Sequence, residues 1–355
     1  MTLRPTFVLP PSIPAGSDER KMSRDVREDL LSPSAATYER GPHWIALCAA
    51  IFTLPLLYVG GSVTTYRVGL AVPDWPQTFG INMFLYDFWN APFGVRIEHT
   101  HRLYGAAVGM ATLLLAGWFL VFERRPWMKG LGVLAVVAVI VQGVLGGTRV
   151  TQVSTVLAAI HGVVGQAFFA LVVALCVLTS RGWREQSRRA ADVDHLRPRA
   201  LLFISMVTAQ IALGSWLRHY GMRAALVAHG ALAIAVWAHA VLFFLKVKRD
   251  RANLSGLIPS SLAAVVASTL QIVLGIVAMV YLLPFDGIPR PVSFYQAVVR
   301  TGHQTNGALL LAAAVVLVLR SYRLLARSTS SPSPDIDQGR ARQAKPAAMD
   351  WEAVA

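Results

Sequence analysis

The chain has 355 residues, 55% of them hydrophobic and only 15% charged, with a formal net charge of +14. Soluble globular domains carry about 25% charged residues, so the composition excludes an ordinary water-soluble fold and makes lipid the solvent. The positive charge lies in alternate gaps between apolar runs, at Arg124, Arg125 and Lys129, Arg181 to Arg199, Lys246 to Arg251 and Arg320 to Arg327, which is a membrane-topology signal and excludes nucleic acid as its partner.

In chain order, residues 1–43 hold Pro, Ser and mixed charges and are expected to form a disordered tail. They have no apolar stretch for a signal peptide, and Asp18, Glu19, Asp25, Glu28 and Asp29 argue against a mitochondrial transit peptide. The first apolar run is Trp44–Tyr66, and others start near Ile97, Met128, Val156, Ala200, Ala224, Leu257 and Val298. Each approaches the roughly 20 residues a helix needs to cross the hydrocarbon core. Strand-type alternation is absent, so the expected fold is all-α: a polytopic membrane protein of eight transmembrane helices. A basic linker, 181–197, divides the helices four and four, and 326–355 reads as a second disordered tail. The basic gaps place both tails and the linker in the cytoplasm of a multi-pass plasma-membrane protein, facing anionic lipid. Cys48 and Cys176 fall inside predicted helices and read as small buried hydrophobes.

The predicted helices repeat. The third, fifth and seventh carry Gln142-Gly-Val-Leu-Gly146, Gln210-Ile-Ala-Leu-Gly214 and Gln271-Ile-Val-Leu-Gly275; the first has Val59-Gly60-Gly61-Ser62, with Leu56 in the glutamine position. The even helices open on His101-Arg-Leu-Tyr-Gly105, His161-Gly-Val-Val-Gly165, His229-Gly-Ala-Leu-Ala233 and His303-Gln-Thr-Asn-Gly307. One helix pair thus recurs four times, most simply as two pseudo-symmetric four-helix halves, 44–180 and 198–325. The glycines either let helices approach closely or clear space for a flat cofactor; both readings stay open.

His101, His161, His229 and His303 share one address, roughly 6–9 Å below the start of an even helix near the outer face. Each alone is explained by a hydrogen bond to a neighbouring helix. Four at one repeat position point to chemistry, because ionisable groups inside membrane helices are costly. Imidazole is a common axial ligand of haem iron, and facing helices can clamp a haem from both sides, so two bis-histidine haem sites are expected. Zinc is the weaker alternative, wanting four converging ligands and usually cysteine. His99 is turned about 200° from His101 and cannot share its pocket. His239 lies deeper, as an inter-helix hydrogen bonder, while His43, His195 and His219 are placed in tails or loops. Glu98 lies nearly one turn before His101, on the same face. It either favours the helix N-terminus or is a carboxylate beside a haem that moves protons. Arg102, Arg149, Arg218, Arg223 and Arg300 lie near the outer ends, as interfacial anchors or as partners of haem propionates.

The ordered set Val72-Pro-Asp-Trp-Pro76, Glu98-His-Thr-His101-Arg102, Leu145-Gly-Gly-Thr-Arg149-Val, His161-Gly, Ala228-His229-Gly and Thr301-Gly-His303-Gln resembles the haem A synthase family, over about residues 45–325. The resemblance implies conversion of haem O to haem A for cytochrome oxidase assembly. In that reaction the ring C8 methyl is oxidised to a formyl group through two successive hydroxylations and loss of water. It further implies that His229 and His303 ligate a resident haem b, that His101 and His161 hold the substrate haem O with Arg102 contributing, and that Glu98 is the functional glutamate. Implied partners are haem O synthase, oxidase assembly factors and an unidentified electron donor. Many bacterial relatives bracket the Pro-Asp-Trp-Pro loop with cysteines; here Val72 and Thr78 stand in those places, so no thiol–disulfide step is expected in the loop. Two alternatives share the four histidines: a di-haem electron-transfer protein, and a haem carrier presenting a loop with Trp75 and Trp89.

Overall fold

The computed structural model describes residues 40–184, 189–192, 194–282 and 292–326. Nearly all of the two expected tails, 1–39 and 327–355, lies outside the described residues, as do parts of the basic linker. Eight helices among the described residues are long and apolar enough to cross a membrane. They are α1 (Arg40–Thr65), α2 (Phe93–Phe122), α3 (Pro126–Thr151), α4 (Thr155–Thr179), α5 (Leu196–Tyr220), α6 (Arg223–Arg249), α7 (Ile258–Leu282) and α8 (Phe294–Leu324). Among the described residues the fold is all-α apart from a two-residue parallel pairing of Ala190–Ala191 with Leu325–Ala326 and an isolated bridge between Thr78 and Ile81.

The helix ends are set by local chemistry. Pro92 precedes α2 and Pro126 opens α3, where a missing N–H costs nothing. Ser154 and Ser293 cap α4 and α8, their hydroxyls accepting from the amides of Leu157 and Gln296 at 3.2 Å each. Gly221, at φ 66°, closes α5 in the left-handed region that glycine enters freely. Asp192 accepts from the amides of Leu196 (2.6 Å) and Arg197 (3.1 Å), fixing the start of α5. Asp194 pairs with Lys246 at 2.9 Å; that hydrogen bond holds its carboxyl below the ordinary carboxylate range.

The tightly packed apolar clusters sit toward the basic end of the bundle. Leu115, Phe119, Met128 and Leu175 form one, and Phe203, Phe243, Leu257 and Leu317 another. A third cluster, Phe169, Ala308 and Ala312 with Leu54 and Leu57, joins α4, α8 and α1, and α8 also packs on α5 and α7. The outward faces are apolar, as at Leu114, Ile140, Ile234 and Ile276, which suits hydrocarbon rather than water. Cys48 is exposed on such a face and Cys176 is half-buried. The expected burial of Cys48 is thus corrected: in a lipid-facing helix an apolar side chain need not point inward. The interior of the opposite end is left to polar groups, and the repeated histidines gather there.

Candidate haem-binding site

Two imidazole pairs face each other across the bundle. His101 from α2 and His161 from α4 have ring centroids 6.2 Å apart with planes at 70°. His229 from α6 and His303 from α8 repeat this at 6.2 Å and 68°. The repeat explains how each ring is seated. A Cβ added to Gly60 would lie 2.7 Å from the His101 ring; at Gly146 it would lie 3.2 Å from His161, at Gly214 2.9 Å from His229, and at Gly275 3.0 Å from His303. Four residues earlier, on the same helix face, the glutamine side chain donates to the carbonyl of the facing histidine. Gln142 reaches His161 O at 3.3 Å, Gln210 reaches His229 O at 2.8 Å and Gln271 reaches His303 O at 3.0 Å. Gly165 and Gly307, four residues after their histidines, leave room for Gln142 and Gln271. The glycines therefore pack helices and seat imidazoles at once.

The Nδ1 atoms of His161, His229 and His303 are buried with no hydrogen-bond partner among the described residues. A buried polar atom left unpaired costs about 1–3 kcal/mol, so these rings are built for a further ligand. Two imidazole–metal bonds of about 2 Å, plus about 1.1 Å from each ring nitrogen to its centroid, call for centroids about 6.3 Å apart. Both pairs stand at about that separation, while Gln271 Nε2 lies 3.3 Å from His303 Nε2. Among the described residues no group of three His, Cys, Asp or Glu side chains converges, so tetrahedral zinc lacks a ligand set.

The other expected site residues serve the loop joining α1 to α2. Glu98 is 1% exposed; its Oε2 accepts from Val72 N at 3.0 Å and its Oε1 from Arg102 at 3.1 Å. Arg102 also donates to the carbonyls of Val72 (2.9 Å), Asp74 (2.8 Å) and Gln77 (2.8 Å). His99, turned away from His101 as its helical position requires, meets Thr78 Oγ1 at 3.2 Å and stacks on Phe88. One turn of α2 thus holds the loop by three successive contacts. Within it, Thr78 and Ile81 bridge around Phe79 and Gly80, both at positive φ, and Asp74 accepts from the amides of Phe79 (2.9 Å) and Gly80 (2.8 Å). Burial raises the Asp74 pKa, but those amide hydrogen bonds outweigh it and hold the carboxyl below its ordinary range. Trp75 lies flat against Gly147, leaving no space for a Cβ there.

Arg149 and Arg218 are among the arginines that keep a buried Nε–H without an acceptor among the described residues. Arg149 packs beside Gly69. Arg218, from α5, donates to Gln304 Oε1 (2.5 Å) on α8 and to Gly61 O and Thr65 Oγ1 (2.8 Å each) on α1. Sequence reasoning grouped these arginines with Arg102 and missed the division between them. Its only signal was that Arg149 follows Gly146 by three residues and Arg218 follows Gly214 by four. His239 bonds Arg199 O at 3.0 Å, the expected inter-helix contact. His43 and His219 lie within α1 and α5 rather than in a tail or loop, because those helices run past the hydrophobic stretch that marks them in the sequence.

The sequence is similar to those of known proteins. The haem A synthase of Shewanella oneidensis is 27% identical over 188 residues, covering 49% of this chain and 56% of that protein. That of Shouchella clausii is 28% identical over 184 residues, covering 51% and 60%. The chain thus spans less than two thirds of the length of these two relatives. For the haem A synthase of Rhodopseudomonas palustris strain HaA2, 25% identity extends over 374 aligned positions, 82% of this chain and 93% of that protein. Residues 43–229, more than half of the 355, match the model of the COX15-CtaA cytochrome oxidase assembly proteins, and the chain belongs to that family.

Proposed function

We propose that this protein is a haem A synthase that oxidises the C8 methyl of haem O to a formyl group, through two successive hydroxylations and loss of water, for cytochrome oxidase assembly. The observation that carries the reading is the doubled imidazole pair at 6.2 Å, set within a chain of this family. His229 and His303, in the half 198–325, are the ligands for a resident haem b, and His101 and His161, in the half 44–180, hold the substrate haem O. The resident haem supplies one-electron transfer when bound. The chain's own groups orient the substrate and keep it dry. Glu98 and Arg102 hold the α1–α2 loop against α2, which keeps water from the first pair and places a carboxylate one turn from His101 for proton transfer. Arg102 serves substrate binding through that loop, while the unaccepted Nε–H groups of Arg149 and Arg218 suit carboxylates such as propionates. The protein sits in the plasma membrane with its basic end and both tails cytoplasmic; haem O synthase, assembly factors and an electron donor are its partners.

A di-haem electron-transfer protein or a haem carrier shares the histidines but does not require a carboxylate one turn from His101 for proton transfer. The test is pigment extraction after co-expression with a haem O synthase. Haem A or its hydroxylated intermediate is expected; haem O returned unmodified from a haem-loaded protein would reject the reading. His229→Ala or His303→Ala should lower bound haem b, while His101→Ala should spare it and block conversion. Unchanged haem content in all three variants would sink the ligand scheme.

A further inference from the structure

We propose that Trp75 is a substrate-positioning residue, its indole forming the wall of the His101–His161 site against which the porphyrin edge of haem O rests. The proposal builds on the synthase reading and adds a residue that the histidine scheme leaves unused. It begins from Gly147, which follows the glycine seated on the His161 ring. In α1 the equivalent position is Gly61, covered by Thr301 and Gln304 of α8. In α5 it is Ser215, which donates to Ala159 O at 3.1 Å. In α7 it is Ile276, 56% exposed on the outward surface. Only in α3 is this position a glycine covered by an aromatic ring from a connecting loop.

The loop is built to deliver that ring. Arg102 holds the carbonyls of Asp74 and Gln77 on either side of Trp75-Pro76. Glu98 holds the amide of Val72, and Asp74 closes the turn at Phe79 and Gly80. One face of the indole is spent on Gly147, yet Trp75 is still 45% exposed and its N–H has no partner among the described residues. A rigid aromatic plane with an unused donor, one residue from the floor of a histidine site, suits a flat conjugated ligand bearing polar substituents. The second site has no such wall from the corresponding connection, because α5 and α6 are joined by Gly221 and Met222 alone. The asymmetry gives the two otherwise matching sites different tasks.

The experiment titrates purified full-length protein, carrying its resident haem, with haem O, and follows Soret absorbance, tryptophan fluorescence and turnover. Trp75→Ala should raise Kd and KM for haem O roughly tenfold, the loss of about one aromatic contact, with kcat and the resident-haem spectrum little changed. Trp75→Phe should recover most of the affinity. Gly147→Ala should reproduce the Trp75→Ala defect by displacing the ring, and the double variant should be no worse than either single one. Wild-type affinity in Trp75→Ala would overturn the proposal, as would equal defects in the Phe and Ala variants or loss of resident haem on either change. Wild-type protein that takes up no haem O overturns the synthase reading as well; haem O bound equally by wild type and Trp75→Ala overturns only this one.

Discussion

A single methyl group is enough to probe the imidazole seats. Gly214 and Gly275 meet the His229 and His303 rings so closely that a Cβ would stand 2.9 and 3.0 Å away, whereas Gly230 and Gly302 have nothing within 4 Å. Gly214→Ala or Gly275→Ala should therefore push its ring aside at about 1–3 kcal/mol, a roughly 5- to 150-fold loss of haem b affinity. Gly230→Ala, with better helix propensity, should keep full haem content. The Soret absorbance per protein chain of the purified variants decides it; equal haem in all would show that the rings are not seated by these glycines. At this scale the recurring histidine, glycine and glutamine were visible in the sequence, but that the glycines seat the rings and the glutamines bond the histidine carbonyls came only from the structure. Arg102 was not readable in the same way. Three of its four acceptors are main-chain carbonyls, and an oxygen present in every residue leaves no mark in a sequence.

Among the elements, hydropathy located the helices but not their ends. The expected runs began near Trp44, Ile97, Ala200 and Val298; the helices begin at Arg40, Phe93, Leu196 and Phe294. Hydrophobicity marks the hydrocarbon slab, while a helix continues into the interface until a cap stops it, as at Pro92 or Ser293. The α1–α2 loop has no period at all, and its order comes from side chains answering backbone groups. This makes it sensitive to acid in one defined place. The Asp74 carboxyl titrates below its usual 3.8 when the loop is folded, so its contribution is full above the unfolded pKa and fades as pH falls through the folded value. Hydrogen exchange at the amides of Phe79 and Gly80 should stay slow at neutral and mildly acidic pH and quicken only below about 3.8, and Asp74→Ala should show the quick exchange at every pH. Protection that ignores both the mutation and the acid would remove Asp74 from this role.

Across the molecule, α1 and α4 meet α8 through apolar contacts, and Arg218 adds a cationic tie from α5 to α1 and α8. Arg218 reaches Gln304 beside His303 and Gly61 beside the seat of His101, so it joins the surroundings of both imidazole pairs. Arg218→Met keeps the volume and removes every donor. A loss of about 1–2 kcal/mol is expected, the upper part of what polar contacts contribute between membrane helices, seen as a lower Tm in detergent. A wild-type Tm would mean that the apolar contacts alone hold these helices together. The sequence predicted two repeats but not what joins them, since the tie links residues 157 and 86 positions apart.

The grip of Arg102 on carbonyl oxygens has a consequence for how such chains diverge. The amino acids at positions 72 and 77 can change and still offer the same oxygen to the guanidinium, so the loop can drift there while its path is kept. Selection for that path then acts on one turn of α2 and on Asp74 within the loop, and distant relatives should align by Glu98, Arg102 and Asp74 after the rest of their loops have stopped looking alike.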